Sequence, residues 1–151
     1  MRVYRIASAR YASNNSEGAR IYGGRWNDLG TPVIYSSTTA SLAALEVLVR
    51  YQLIPADYRV INIQIPDSVE IESVDASSLP ADWYEEASIP RTAAIGSAWA
   101  ISLSTAVLCV PSAVMRGEHN YLLNPLHPKF RDILFEVPAI DEIDKRLRSI
   151  R

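Results

Sequence analysis

Between residues 32 and 65 the sequence changes its apolar pattern twice, and this limits the chain to a mixed α and β fold. Pro32 opens a short apolar run, Val33-Ile34-Tyr35-Ser36, of the kind that forms a buried strand. Ser37-Thr38-Thr39 then offers capping side chains for a helix running to about Leu53. On a 3.6-residue wheel Leu42, Leu45, Val49 and Leu53 form one stripe, and Pro55 closes the helix. From Tyr58 to Ile65 the period falls to two, with Ile61, Ile63 and Ile65 set against Val60, Asn62 and Gln64. That alternation predicts a half-buried strand.

The rest of the chain adds shorter elements. A first strand is expected over Met1 to Ala7, and Ser8 to Gly24 reads as a long polar loop. Val69 to Val74 alternates again, Leu79 to Pro90 is mixed, and Arg91 to Ser102 predicts a small-residue helix with Trp99 inward. Ala106 to Val110 reads as a buried strand ended by Pro111-Ser112, and Arg116 to Pro128 as a loop with a short apolar stretch at Tyr121-Leu122-Leu123. A strand at Ile133 to Val137 and a helix at Asp141 to Ile150 complete the pattern. Strands and helices are interspersed without a strict βαβ rhythm, which favours a single α+β domain over a doubly wound sheet.

Composition excludes several classes. At 151 residues with 48% apolar and 21% charged side chains, the chain has the means to bury one core. Its net charge is −2 and no basic stripe is visible, so a direct grip on nucleic acid is not expected. Cys109 is the lone cysteine, which rules out an intrachain disulfide and a cysteine-based metal site. No secretory leader or membrane span is apparent, and the chain reads as cytoplasmic.

The residues able to carry chemistry lie mostly in the first third. Gly23-Gly24-Arg25-Trp26-Asn27 sets a cation and an aromatic after two glycines, where a backbone can approach an anion closely. The Arg25 fork would suit a diphosphate; the alternative is a turn with a surface arginine. Tyr35 could stack on a ligand ring or simply be a core tyrosine. Glu46 falls at the edge of the helical stripe, where a carboxylate needs a partner or a cavity. Its alternative is an i,i+4 pair with Arg50. Ser112, at a strand end, is a catalytic candidate or a plain turn residue. His119 and His127 could serve acid–base chemistry on RNA, but their loop lacks a third ligand for zinc. Cys109 reads as a buried, inert thiol.

In order along the chain, Tyr4-Arg5-Ile6, Gly23-Gly24-Arg25-Trp26-Asn27 with Gly30, Val33-Ile34-Tyr35-Ser36, Ser41-Leu42-Ala43-Ala44-Leu45-Glu46, Val110-Pro111-Ser112 and Asn120-Tyr121-Leu122-Leu123-Asn124-Pro125 resemble the RES domain, the toxin of RES–Xre toxin–antitoxin pairs. The resemblance runs over nearly all of residues 1–151; 67–90 carries little of it. It implies a fold like that of ADP-ribosyltransferases, with a split central sheet, flanking helices and NAD held in a cleft. It implies consumption of NAD by hydrolysis, by phosphorolysis or by transfer of ADP-ribose to a protein, without a metal. It places the family's Arg, Tyr, Glu and Ser at Arg25, Tyr35, Glu46 and Ser112, with Arg5, Gly24, Trp26 and Ser36 also around the dinucleotide. On this reading Arg25 holds the diphosphate, Tyr35 packs on nicotinamide, Ser112 bonds nicotinamide or ribose, and Glu46 faces the ribose. It further implies an Xre-like, DNA-binding antitoxin that covers the active site, so that DNA is met only through that partner. A non-enzymatic interaction module, an RNase built on the two histidines, and a homodimer through an apolar face remain open at this level.

Overall fold

A computed structural model describes residues 1–148. Seven strands form one sheet: β1 (Arg2–Ser8), β2 (Ile34–Ser37), β3 (Tyr58–Gln64), β4 (Ile71–Ser73), β5 (Val107–Pro111), β6 (His119–Leu123) and β7 (Leu134–Glu136). Their order is β4-β5-β6-β2-β1-β3-β7, and only β4 and β5 run parallel. Three helices flank the sheet: α1 (Glu17–Tyr22), α2 (Ala40–Tyr51) and α3 (Ile89–Ser102).

The sheet is split at its centre. β1 pairs with β3 over seven residues and β2 with β6 over four, yet β1 and β2 meet at the single pair Tyr4↔Ser37. Beyond that pair the two central strands diverge. Alternation along each strand sorts the apolar side chains between two faces. Val3, Ile34, Ile61, Ile63, Val107 and Leu123 point to one face, covered by Ile65, Val69, Ile133 and Phe130. The other face carries two separate clusters. Trp26, Trp83 and Trp99 pack with Val33, Leu108, Val110 and Leu122 under α3, while Ile6 and Val60 pack with Ala43, Val47 and Leu48 of α2. The split between the strands lies between these two clusters. The fold is thus the α+β class that the sequence pattern suggests, with the split sheet and flanking helices that the family resemblance implies.

Four local expectations need correction. The loop expected over 8–24 contains α1, started by Asn15 Oδ1 accepting from the Glu17 amide at 2.7 Å and braced by a Glu17–Arg20 ion pair. The buried face of α2 is not the stripe Leu42, Leu45, Val49 and Leu53, because Val49 is 65% exposed and Leu53 lies past the helix end. Small residues take the sheet side instead, with Ala40, Ala43, Ala44 and Val47 letting the helix lie close to β1 and β3. The apolar stretch within the loop expected at 116–128 is β6, which sits inside the sheet with Asn120, Leu122 and Leu123 buried. The helix expected over 141–150 is absent through residue 148. Asp144 Oδ1 accepts from the Arg146 amide and Arg148 grips both oxygens of Asp141, so local side chains hold a single 3₁₀ turn at Lys145–Leu147. Residues 149–150 of that helix lie outside the described residues.

Candidate active site

The segment after the glycine pair is fixed from below by α3. Thr92 Oγ1 donates to the Arg25 carbonyl at 2.6 Å, and Ser97 Oγ accepts from the Asp28 amide at 2.8 Å. Between them is Gly96, where an added Cβ would stand 1.7 Å from the Trp26 carbonyl oxygen. The segment is fixed from the side by Tyr35. Its hydroxyl donates to Asn27 Oδ1 at 2.6 Å and accepts from the Trp26 amide at 3.1 Å. Gly24 lies against the same hydroxyl, with room for a Cβ only 2.6 Å away, so no larger residue fits. Asn27 is buried and completes the set by donating to the carbonyls of Ala19 and Thr31.

Glu46 belongs to the cleft and not to a helix-surface pair. Its Oε1 accepts from Ser112 Oγ at 2.9 Å and from Asn120 Nδ2 at 2.6 Å. Ser112 Oγ in turn accepts from the amides of Val114 and Met115, and Ser37 Oγ donates to Asn120 Oδ1 at 2.7 Å. Both partners are oriented by further bonds, so the carboxylate is held through one oxygen by groups on β6 and just past β5.

The cleft opens where β1 and β2 part. It is a cavity of ≈ 440 Å³ with Gly24, Arg25, Tyr35, Ser36 and Asn120 on one side and Tyr4, Ile6, Val47, Tyr51 and Tyr58 on the other. Ala43, Glu46, Val47 and Arg50 give it one face of α2, at the helical spacing i, i+3, i+4, i+7. Three arginines line it among the described residues. Arg5 donates to the carbonyls of Ser13 and Asn15, and burial pushes its guanidinium down to about 10. Arg25 donates from Nη1 to Trp83 and Glu85 and from Nη2 to Tyr84, all backbone carbonyls. Burial lowers its pKa as well, and the negative Glu46 opposes that shift. Arg50 makes no side-chain hydrogen bond or ion pair among the described residues. Burial holds the Tyr35 phenol well above its ordinary value, so this group is a neutral donor.

Six of the eight positions singled out in the sequence line the cavity: Arg5, Gly24, Arg25, Tyr35, Ser36 and Glu46. The other two differ from expectation. The Trp26 ring is 2% exposed and packs on Trp83 at 6.2 Å between centroids, so it supports the segment from the core. Ser112 is fully buried behind Glu46 and acts on the cleft through that carboxylate. Arg25 is in place, with Nη1 and Nη2 donating to the 83–85 backbone. The histidines do not converge on the cleft: His119 is exposed at the start of β6, and His127 Nδ1 accepts from the Lys129 amide in a turn beyond its end. Cys109 is half-buried, and burial raises its thiol pKa. Sequence reasoning passed over Asn27 and Asn120, both inside motifs it quoted. A polar residue that is buried within a conspicuous motif is the signal that identifies them.

Comparison with known proteins decides the family. The RES domain model matches residues 2–143. The chain belongs to the RES-domain family. A protein named Toxin Res from Photorhabdus laumondii is 36% identical over 97% of each chain. Toxin Res from Yersinia enterocolitica is 37% identical over 98% of this RES domain and all of its own length. A Sphingobium protein named Prs ADP-ribosylating toxin is 37% identical over 77% of this chain and 74% of its own. Among solved structures, a chain of the M. tuberculosis MbcT–MbcA toxin–antitoxin complex matches with a TM-score of 0.68, covering 93% of this RES domain and 82% of that chain at 23% identity. At that identity the likeness speaks for the fold.

Proposed function

We propose that this RES domain is the toxin of a toxin–antitoxin pair and that it cleaves the nicotinamide–ribose bond of NAD. The observation that carries the reading is Glu46. Its carboxylate lines a 440 Å³ cleft, and among the described residues both of its hydrogen bonds fall on Oε1, leaving Oε2 for a ligand. Nicotinamide departs neutral from a cationic ring and takes the electron pair of the C1′–N bond with it, so little acid catalysis is required. The enzyme must instead stabilise the oxocarbenium-like ribose and admit a nucleophile, and a fixed carboxylate beside the sugar does the first. Water or phosphate then bonds to C1′ and releases a proton, which gives glycohydrolase or phosphorylase activity. Ser112 and Asn120 position the carboxylate, Tyr35 and Ser36 border the ring site, and Arg5 and Arg25 add positive charge to the walls.

The expected partner is an Xre-like, DNA-binding antitoxin covering the cleft. The toxin names of the relatives and the complex in which the structural neighbour was solved support a partner of this kind. A second reading, transfer of ADP-ribose to a protein through the same site, is favoured by the name of the Sphingobium relative.

The test is nicotinamide release from NAD by purified protein free of antitoxin, beside Glu46→Gln. The wild type should release nicotinamide and the folded variant should lose at least ~100-fold, the scale of removing one electrostatic stabiliser. An unaffected variant overturns the role of Glu46. No release by the wild type, with or without cell extract, overturns both readings. Label from NAD appearing on an extract protein selects the transferase.

A further inference from the structure

Of the three arginines that line the cleft, two are already engaged by the protein. Arg5 is held on the carbonyls of Ser13 and Asn15, and Arg25 on those of Trp83, Tyr84 and Glu85. A guanidinium committed in this way keeps its charge but has fewer N–H groups left for a phosphate, and its orientation is already set by the carbonyls it holds. Arg50 has no such commitment among the described residues. It follows Glu46 by four positions on α2 and lines the same cavity, so the two side chains are neighbours along one helical face. It nevertheless leaves Glu46 to Ser112 and Asn120. Its positive charge is felt by both Tyr35 and Tyr58, on opposite walls. Tyr51 and Tyr58 lie at its end of the cleft, edge to face at 6.1 Å between centroids, and offer rings for a base.

We propose that Arg50 is the phosphate anchor of the cleft and takes the diphosphate of the bound dinucleotide. The assignment rests on the NAD reading above and adds to it a residue that neither the motif resemblance nor the arginine after the glycine pair supplies. The same chemistry could be met by free inorganic phosphate. The more conservative reading of Arg50 is a cation completing the last turn of α2, where it complements the helix dipole.

The experiment is calorimetric binding of ADP-ribose, adenosine and inorganic phosphate to wild type, Arg50→Gln and Arg50→Lys, with thermal melting alongside. Arg50 is exposed, so its variants should fold. Arg50→Gln should weaken ADP-ribose at least ~10-fold, the loss typical of a charged hydrogen bond, with adenosine unchanged and with lysine recovering part of the loss. Inorganic phosphate should then compete with ADP-ribose. If Arg50→Gln loses phosphate binding alone, the anchor stands and free phosphate is its ligand, which overturns the diphosphate assignment. A lower melting temperature with every affinity unchanged leaves only the helix-end role and overturns the anchor. Failure of the wild type to bind ADP-ribose overturns the NAD reading itself, a different result from loss of binding in the variant alone.

Discussion

Ser112 never reaches the cleft surface, yet its hydroxyl has three partners: it donates to Glu46 and accepts from the amides of Val114 and Met115. Ser112→Ala removes the acceptor for two part-buried amides and one of two restraints on the carboxylate. We expect turnover of NAD to fall ~10- to 100-fold with KM little changed, the pattern of a lost transition-state contact. Steady-state kinetics tests this; a rise in KM at constant kcat would instead place Ser112 against the substrate. Tyr35 has the matching role on the other wall. Tyr35→Phe leaves Asn27 Oδ1 and the Trp26 amide without their partner and should cost ~1–3 kcal/mol in urea unfolding. At the residue scale the sequence was most legible where one type has one reason to be present. Gly24 shows the limit: it was read as a place for the backbone to approach an anion, whereas what stands against it is the Tyr35 hydroxyl, which leaves no space for a Cβ. Ser112 and Trp26 were placed in the right neighbourhood with the wrong contacts, because spacing along a chain does not tell which side of a carboxylate a hydroxyl will occupy.

Among the elements, α2 and α3 differ in how they were read. The start of α2 was visible in Ser37-Thr38-Thr39, and Thr39 Oγ1 does accept from the Leu42 amide at 3.1 Å. Thr39→Ala should lower stability by ~1 kcal/mol in thermal unfolding, as for other lost N-caps. The face of α2 was misjudged because leucines attract the eye, whereas close approach to a sheet selects alanine. α3 was recognised from its small residues, but their purpose, to let the Trp26 backbone lie on Gly96, needed the tertiary structure. Gly96→Ala should be among the most damaging conservative changes in the chain, destabilising by at least ~1–3 kcal/mol and loosening the 25–28 segment, because backbone would have to move. Urea melts with NAD turnover measured alongside would show both effects. β6 was passed over because His119-Asn120 reads as loop and its apolar run is short; only pairing on both edges reveals a central strand.

For the whole molecule, the α+β class was legible from the irregular succession of strands and helices and the split sheet only through the family resemblance, while the strand order was not legible, since β2 lies beside β6 across more than 80 residues of sequence. The cleft also imposes a pH dependence. Tyr35 and Tyr58 are both held neutral by burial, Tyr58 with its pKa pushed up to about 12. Below the ordinary tyrosine value near ~10 the native and unfolded chains both keep these protons. As pH rises above it the unfolded chain releases them first, so stability is lost as pH climbs towards the folded values. The urea midpoint should fall between about pH 9 and 11, and less steeply in Tyr58→Phe; an equal slope in the variant would show that Tyr58 does not contribute.

The same strand order sets a schedule for synthesis. Glu46 leaves the ribosome more than 60 residues ahead of Ser112 and Asn120, which hold it, and β6 is needed to join β2 to β5. A nascent or truncated chain ending before residue 119 has an acid without its Asn120 restraint and a sheet without the strand between β5 and β2. For a protein proposed to destroy a metabolite its own maker depends on, the harmful site is assembled only after β6, which brings Asn120 to Glu46 across 74 residues of sequence, has been translated.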